Sequence, residues 1–294
     1  MAHKAAYSTR NIPINPKKAA LVVIDVQELS CRRGQSGHTT EQNGDPINYY
    51  FDRVENILFP NLARLLRTAR SAKMEVIYTV IESLTQDGRD SSLDYKLSNL
   101  VVPKGSPLAR VCTEVAPEGD EMVLPKTSCS VFNSTVIEYI LRNQCIDQLV
   151  VAGVMTNQCI ESAVRDAADR GFLVTTVEDA CACKSLQEEH SALHNLRGFS
   201  RLATTQALVE ELEAAVAAAA AALPSPPPPP PPLSEKRKAD EDASLSNECS
   251  PLLGEELRIA VLRPEDDPIY GQSILTMFQQ LLGPVAAAAA AGGE

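Results

Sequence analysis

Cys159 lies where a short apolar segment gives way to a helical pattern, and this position could make it a nucleophile. Residues 149–152 have the continuous apolar character of a buried parallel strand. In the first turn of the helix that follows, unpaired N–H groups and the positive end of the helix dipole favour thiolate over thiol. The alternative is a small buried core residue, as most free cysteines are. The context therefore indicates a candidate nucleophile for attack on a carbonyl carbon.

Two charged residues occupy similar positions after other apolar segments. Asp25 interrupts the run at 19–26 near its C-terminal end, and Lys126 follows a short run at 122–124. A buried carboxylate is costly unless it is paired or used. Because the carboxyl ends of parallel strands form the ligand crevice of an open α/β sheet, we expect both residues to lie near Cys159. The alternatives are a helix cap or turn residue at Asp25 and a solvated surface lysine at Lys126.

The histidines give little support for a metal site. His190 and His194 have the i, i+4 spacing that can bind a metal, but no HExxH motif or nearby acidic ligand accompanies them. An exposed or half-buried helix face is the favoured interpretation. His38 is the only histidine between Asp25 and Lys126, which is too few for a metal site of the Asp/His type. We therefore predict neither a metal nor an organic cofactor.

Five or six apolar segments alternate with helical patterns, and this alternation predicts the fold class. Strands are expected at 19–26, 74–81, 122–124, 149–152, 172–177 and 201–204. Helices are expected at 51–72, where Pro60 should kink or divide the helix, and at 135–142, 185–198 and 206–223. The pattern predicts an α/β protein of three α/β/α layers around a mainly parallel central sheet. Polar connections at 28–50 and 83–120 are expected to form the substrate pocket over the crevice.

The helix that carries Cys159 has well-defined sequence signals. We expect Gly153 to end the preceding strand, Thr156 or Asn157 to cap the helix, and Gly171 to close it. Four apolar residues follow at i, i+3, i+4 and i+7 and predict one buried stripe: Ile160, Ala163, Val164 and Ala167. The unit is a strand, a turn, a helix and a second strand.

Composition restricts the class of protein. The formal net charge of -11 argues against a nucleic-acid partner. The first residues lack the apolar segment of a secretory signal, and no run reaches the length of a membrane span. The eight cysteines include no CxxC pair, which indicates free thiols in a reducing compartment. We expect a cytoplasmic protein with no membrane or nucleic-acid partner.

The two ends of the chain differ from its middle. Residues 1–17 are predicted to form an arm, and residues 18–223 to form the folded α/β domain. A proline-rich and charged linker follows at 224–254. Residues 255–294 are predicted to be a mostly disordered, low-complexity C-terminal tail, with a short helix at 272–282 as its one candidate element. The proline run at 226–232 is a candidate ligand for an SH3 or WW type of partner.

Three segments together resemble the isochorismatase-like cysteine hydrolase superfamily, which includes N-carbamoylsarcosine amidase, nicotinamidases, and biuret and ureidoacrylate hydrolases. The segments are ALVVIDVQ, VLPKTSCSVFNST and VVAGVMTNQCIESAVRDAADRGF, and the resemblance covers roughly residues 15 to 212. It implies a catalytic triad of Asp25, Lys126 and Cys159. It also implies a cis peptide between Val154 and Met155, and an oxyanion hole made by the backbone N–H groups of Met155 and Cys159.

The resemblance implies a metal-independent hydrolase that cleaves a C–N bond of a small amide or ureide. Lys126 would lower the pKa of the cysteine, and Asp25 would take the thiol proton and later activate water. Nicotinamidases have an Asp/His metal site that the loop after Asp25 does not offer, and relatives acting on isochorismate lack the cysteine. The alternatives are a catalytically idle interaction protein and a hydrolase of an isochorismate-like substrate.

Substrate contacts and assembly are also predicted. The candidates for contacting the substrate are Gln27, Glu82, Asn157 and Gln158, with Phe132 as an apolar wall. Family members often form dimers or tetramers, so the resemblance implies a homo-oligomer.

Overall fold

The computed structural model describes residues 9–35 and 48–221, which belong to one compact unit around a six-stranded sheet. All the strands are parallel, in the order β3-β2-β1-β4-β5-β6. Their bounds are β1 Ala19–Ile24, β2 Glu75–Ile81, β3 Met122–Lys126, β4 Gln148–Val154, β5 Leu173–Ala182 and β6 Arg201–Ala203. The predicted fold class is confirmed.

Helices cover both faces of the sheet. In chain order they are α1 Glu28–Cys31, α2 Asn48–Arg53, α3 Phe59–Ser71, α4 Leu93–Leu97, α5 Val131–Ser134, α6 Ile137–Asn143, α7 Glu161–Asp169, α8 Leu186–Leu196 and α9 Thr205–Ala221. Pro60 lies at the start of α3, after a π-helical segment Val54–Leu58, so the predicted division of this helix is confirmed. Among the helices of these two ranges, none has the length and apolarity to cross a membrane.

Period-two alternation along β1 separates the two cores. Leu21 and Val23 face a cluster that includes side chains of α2, α3 and α9. Val22 and Ile24 face a second cluster, which includes side chains of α5 to α8. Every residue of β1 is buried, as expected for a central strand covered on both sides. These two cores make the three layers.

The crossing pattern of the strands creates a crevice beside β1. The chain runs from β1 to β2 and β3 on one side and then returns to β4 on the other side of β1. Such a reversal leaves an opening beyond the carboxyl ends of the two strands, where ligands bind in open α/β sheets. Residues that follow β1 and β4 are therefore placed at one site.

The helix after β4 differs in part from the prediction. A π-helical turn Thr156–Ile160 precedes α7, and Met155 is its N-cap without a side-chain capping bond, so the expected cap at Thr156 or Asn157 is wrong. The apolar stripe is buried as predicted, and Gly171 adopts a φ of 83° just beyond the helix. The cap was misassigned because the helical turn already begins at Thr156, and the residue before it, Met155, has no side-chain group that could cap the turn.

Gly153 does not end the strand, which continues to Val154. Its φ is 126°, and a Cβ built on it would lie 2.1 Å from the carbonyl oxygen of Ile24 on β1. Glycine is required because it tolerates this φ and lets the two strands pair closely.

Replacing Gly153 with alanine should therefore lower the free energy of unfolding by about 3 kcal/mol, through backbone strain and overlap with β1. Gly171→Ala is the matched control: it also has a positive φ, of 83°, but no atom lies within 4 Å of a built Cβ. It should lose only about 1 kcal/mol. Urea unfolding measures both, and equal losses would contradict the close approach at Gly153.

The N-terminal arm in part belongs to the folded unit. Ile14 is buried, and the backbone N–H of Asn15 donates to Oε1 of Gln148 at 2.7 Å. The predicted linker at 224–254, the tail at 255–294 with its helix at 272–282, and His38 lie outside the described residues.

Candidate active site

Asp25, Lys126 and Cys159 meet at the C-terminal edge of the sheet. Asp25 follows β1, Lys126 is the last residue of β3, and Cys159 lies in the π turn after β4. The Lys126 ammonium connects the other two, with Nζ 2.9 Å from Oδ2 of Asp25 and 3.3 Å from Sγ of Cys159. All three are buried, with exposed fractions of 6% or less. The three residues therefore lie together at one edge of the sheet, as their positions in the sequence predict.

A turn and a threonine fix the carboxyl group of Asp25. Its φ of 56° ends β1, and its backbone N–H donates to the carbonyl oxygen of Thr79 at 3.0 Å. The Thr79 hydroxyl donates to Oδ1 at 2.9 Å. Burial raises the pKa of Asp25 well above its usual range, and the Lys126 ammonium only partly opposes this. The carboxyl is therefore a better proton acceptor than an ordinary aspartate.

Lys126 is wholly buried yet charged. Burial lowers its pKa, but Asp25, Cys159 and Tyr95 outweigh this effect and raise the pKa above its usual range. Nζ donates to the Tyr95 hydroxyl at 2.6 Å and to the carbonyl oxygen of Ser128 at 3.0 Å. A fixed positive charge thus lies against the sulfur of Cys159.

A second thiol lies beside the first. Sγ of Cys129 donates to Sγ of Cys159 at 4.0 Å and contacts the Ser162 hydroxyl at 3.3 Å. The contact with Cys129, together with burial, raises the pKa of Cys159, while Lys126 lowers it. If Cys159 is the donor of this hydrogen bond instead, the bond lowers the pKa of Cys129 to about 6. The two sulfurs therefore compete for one negative charge. The Lys126 ammonium contacts the sulfur of Cys159 and favours the charge there.

The backbone around Cys159 has the form that the resemblance implies. The peptide bond between Val154 and Met155 is cis. Both residues line a cavity of about 720 Å³ together with Asp25 and Cys159. Backbone groups of this turn therefore lie beside the sulfur at the base of the cavity.

Polar side chains line the rest of the cavity. Asn157, Gln158, Ser162 and Lys184 all contribute to its wall. The amide of Asn157 is hydrogen-bonded at both ends, since Oδ1 accepts from Sγ of Cys183 and Nδ2 donates to Oε2 of Glu188, each at 3.3 Å. Asn157 and Gln158 are thus located where the sequence predicts substrate contacts.

Gln27 and Glu82 are not available to a substrate in this arrangement. The Gln27 amide is buried: Nε2 donates to the carbonyl oxygens of Ile81 and Leu108, and Oε1 accepts from the Ile81 N–H at 2.6 Å. Glu82 accepts from the backbone N–H of Gly105 at 2.6 Å. Both side chains hold the connection after β2, so the prediction of substrate contact is corrected for both.

Phe132 is also corrected. Its ring packs 5.9 Å from that of Phe172, under the guanidinium of Arg170 at 5.2 Å. It belongs to the core between α5 and the sheet and is absent from the residues that line the cavity within 9–35 and 48–221.

Three further residues of the site were not predicted from the sequence. Thr79 lies inside an apolar strand, Cys129 is in a serine-rich segment, and Tyr95 is in a connection without periodicity. A signal existed only for Tyr95: Ser92 caps α4 by accepting from the Tyr95 N–H at 3.2 Å, and a Ser-x-x pattern of this kind marks a helix start.

His190 and His194 lie away from this site, on α8, where they line a surface pocket with Arg53 and Glu189. In the part of the chain that the structure describes, no group of three or more His, Cys, Asp or Glu residues is arranged to hold a metal ion.

Comparisons with known proteins agree with the geometry. Residues 19–207 match the family model of the isochorismatase domain. A maleamate amidohydrolase of Pseudomonas putida is 31% identical over 178 residues, covering 60% of this chain and 77% of that protein. A ureidoacrylate amidohydrolase of Caulobacter segnis is 27% identical over 213 residues, covering 67% and 86%. The crystal structure of a cysteine hydrolase from Pseudomonas syringae pv. phaseolicola has the same fold, with a TM-score of 0.60 and 24% identity over 73% of this chain and 100% of that one.

Proposed function

The chain belongs to the isochorismatase family, and on this premise we propose that it is a cysteine amidohydrolase that cleaves a C–N bond of a small amide or ureide through a thioester on Cys159. The observation that carries the proposal is the buried Lys126 ammonium, which contacts both the Asp25 carboxylate and the Cys159 sulfur. A buried charge of this kind is costly, and its position beside a thiol at the base of a cavity favours a thiolate.

The reaction begins with transfer of the thiol proton of Cys159 to Asp25. The sulfur then attacks the carbonyl carbon, and the carbonyl oxygen becomes an oxyanion. When the C–N bond breaks, Asp25 returns the proton to the departing nitrogen, which leaves as ammonia or an amine. Asp25 next takes a proton from water, whose oxygen attacks the thioester. The C–S bond then breaks, the acid product leaves, and Asp25 returns the proton to the sulfur of Cys159. Every step uses a protein side chain or water, so neither metal nor organic cofactor takes part.

Cys159 rather than Cys129 is assigned as the nucleophile. The ammonium of Lys126 lies 3.3 Å from Sγ of Cys159, so Coulombic attraction favours the negative charge on that sulfur. The Cys129 thiol then donates a hydrogen bond to the Cys159 thiolate, which is the direction of the 4.0 Å hydrogen bond between the two sulfurs.

The oxyanion is assigned to the backbone N–H groups of Met155 and Cys159. Both residues line the cavity together with Asp25, and this position supports the assignment. In comparable sites each well-placed donor contributes about 3 kcal/mol to the stability of the transition state.

The first test is a substrate panel with purified full-length protein and a chelator present throughout. We expect hydrolysis of at least one small amide or ureide, with ammonia or amine released in equal amount to the acid product. Hydrolysis of a vinyl ether such as isochorismate without any C–N cleavage would contradict the proposal, and so would loss of activity in the chelator. A protein that turns over no member of the panel would favour the interaction-protein alternative.

Lys184 suggests a substrate that carries a carboxylate. It is the only basic residue that lines the cavity within the described ranges, and neither a salt bridge nor a hydrogen bond of its ammonium is found there. The names of both curated relatives denote substrates that combine an amide or ureide with a carboxylate. We propose the same class for this chain, with Lys184 binding the carboxylate and Asn157 and Gln158 near the amide.

Replacing Lys184 with methionine should raise KM for a carboxylated amide about tenfold, as expected when one charge-assisted hydrogen bond is lost. KM for the neutral amide of similar size should change less than twofold. Steady-state kinetics on both substrates give the comparison. Lys104→Met, at an exposed lysine outside the cavity, is the matched control. Equal effects on charged and neutral substrates would contradict the role of Lys184.

A homo-oligomer, a cytoplasmic location and an SH3 or WW partner for the proline run remain predictions from the sequence. Size-exclusion chromatography with light scattering tests the first of these.

A further inference from the structure

The hydroxyl of Tyr95 lies among the catalytic side chains. Its oxygen is 2.6 Å from Nζ of Lys126, 2.9 Å from the carbonyl oxygen of Ser128 and 3.8 Å from Sγ of Cys159. Tyr95 is 3% exposed and lies on the short helix α4. In the sequence this helix is distant from Asp25, Lys126 and Cys159. The contact with Lys126 is shorter than that between Lys126 and Asp25, which is 2.9 Å.

The hydrogen bonds of Lys126 use all its protons. An ammonium has three N–H groups, and Nζ donates to Tyr95, Ser128 and Cys159, while Asp25 lies 2.9 Å away as its ion-pair partner. The hydroxyl of Tyr95 has one proton, which reaches either the Ser128 carbonyl oxygen or the sulfur of Cys159. A carbonyl oxygen has two lone pairs, so Ser128 can accept from Tyr95 and Lys126 together while the ammonium also donates to Tyr95 and Cys159.

When the sulfur is charged, a second arrangement becomes favourable. The Tyr95 hydroxyl turns to the thiolate, which attracts a donor more strongly than a neutral carbonyl does. The oxygen of Tyr95 still accepts from Lys126 in this arrangement. Burial raises the pKa of Tyr95, so the side chain remains a neutral hydroxyl in both states.

We propose that Tyr95 is a positioning residue for the reaction, whose hydroxyl holds the Lys126 ammonium against Cys159 and supplies a hydrogen bond to the thiolate. This inference rests on the proposed function. The ring of Tyr95 serves a separate purpose, since it packs in a small apolar cluster with Leu29, Ile81 and Val102. The hydroxyl and the ring can therefore be tested separately.

The test is Tyr95→Phe, which removes the hydroxyl and keeps the ring. The titratable groups that face Cys159 in this cluster are Asp25, Lys126, Cys129 and Tyr95 itself. Alkylation of Cys159 by iodoacetamide, followed by peptide mass spectrometry against pH, reports formation of the thiolate. We expect the midpoint to move up by about one pH unit and kcat to fall about tenfold, with KM changed less than threefold.

Ser92→Ala is the matched control, because it removes the cap of α4 and leaves the hydroxyl in place. A role limited to folding would give both variants the same loss of thermal stability and leave both alkylation profiles at the wild-type midpoint. We expect only Tyr95→Phe to shift the midpoint. If the alkylation of Cys159 depends on pH in the wild type but its midpoint is unshifted in Tyr95→Phe, the role of Tyr95 would be contradicted while the proposed function would stand. If wild-type Cys159 were not alkylated at any pH, or alkylated enzyme kept its turnover, the proposed function itself would fail.

Discussion

The Cys159→Ser protein is expected to fold like the wild type and to lose at least about 10⁴-fold in kcat toward its amide substrate. The sulfur is replaced by a hydroxyl of much higher pKa, which the Lys126 ammonium at 3.3 Å cannot ionise near neutral pH. Because the replacement is nearly isosteric, thermal unfolding should move by only a few degrees. Turnover of the best substrate of the panel and a melting curve give both quantities.

Two other cysteines serve as controls for this substitution. Cys129→Ser tests the neighbouring thiol, and since serine can still donate to Sγ of Cys159, we expect less than a tenfold loss of kcat. Cys145→Ser removes an exposed thiol near the opposite end of β4 and should have no effect. Abolished turnover in Cys129→Ser, with activity retained in Cys159→Ser, would assign the nucleophile to the other sulfur.

Lys126→Met should also cause a large loss of activity, through the electrostatics of the thiol. Removing the ammonium takes away the charge that lowers the pKa of Cys159, so the alkylation midpoint should rise by about two pH units. We expect kcat at neutral pH to fall by at least about 10³-fold. Lys104→Met is again the control, and it should have the wild-type profile. An unchanged alkylation midpoint in Lys126→Met would contradict the electrostatic role of the lysine.

The same variant has a pH-dependent effect on stability. Burial raises the pKa of Asp25 in the folded wild type, and removing Lys126 removes the charge that opposes this, so the pKa in the variant should be higher still. At low pH the carboxyl is protonated in both folded proteins, so it contributes equally to their stability. Once pH passes the pKa that Asp25 has in the folded wild type, only the variant keeps its proton, so its loss of stability relative to wild type should grow with pH. Urea unfolding at several pH values measures this trend.

The triad positions could be predicted because the physics that places them is regular. Parallel strands end at one edge, so a carboxylate after β1, a lysine ending β3 and a cysteine after β4 must converge. The buried face of the helix after Cys159 could also be predicted, because the helical spacing of its apolar residues determines which face packs against the sheet.

Predictions failed where backbone geometry departs from regular strands. Gln27 was expected to contact the substrate, but the φ of 56° at Asp25 redirects the chain, and the Gln27 amide bonds to Ile81 and Leu108 instead. Gly153 looked like the end of a strand because glycine usually marks one, whereas here it allows β4 to approach β1. Tyr95 was missed because the Ser92 cap indicates only where α4 begins, whereas tertiary contacts place that helix beside the site.

The most direct test of the account is to trap the covalent intermediate. Excess wild-type enzyme is mixed with its best amide substrate, quenched in acid during the first turnover and analysed by intact and peptide mass spectrometry. We expect the peptide that contains Cys159 to gain a mass equal to the acyl part of the substrate, and hydroxylamine to remove it. Turnover with unmodified Cys159, or an acyl group on Cys129, would contradict it.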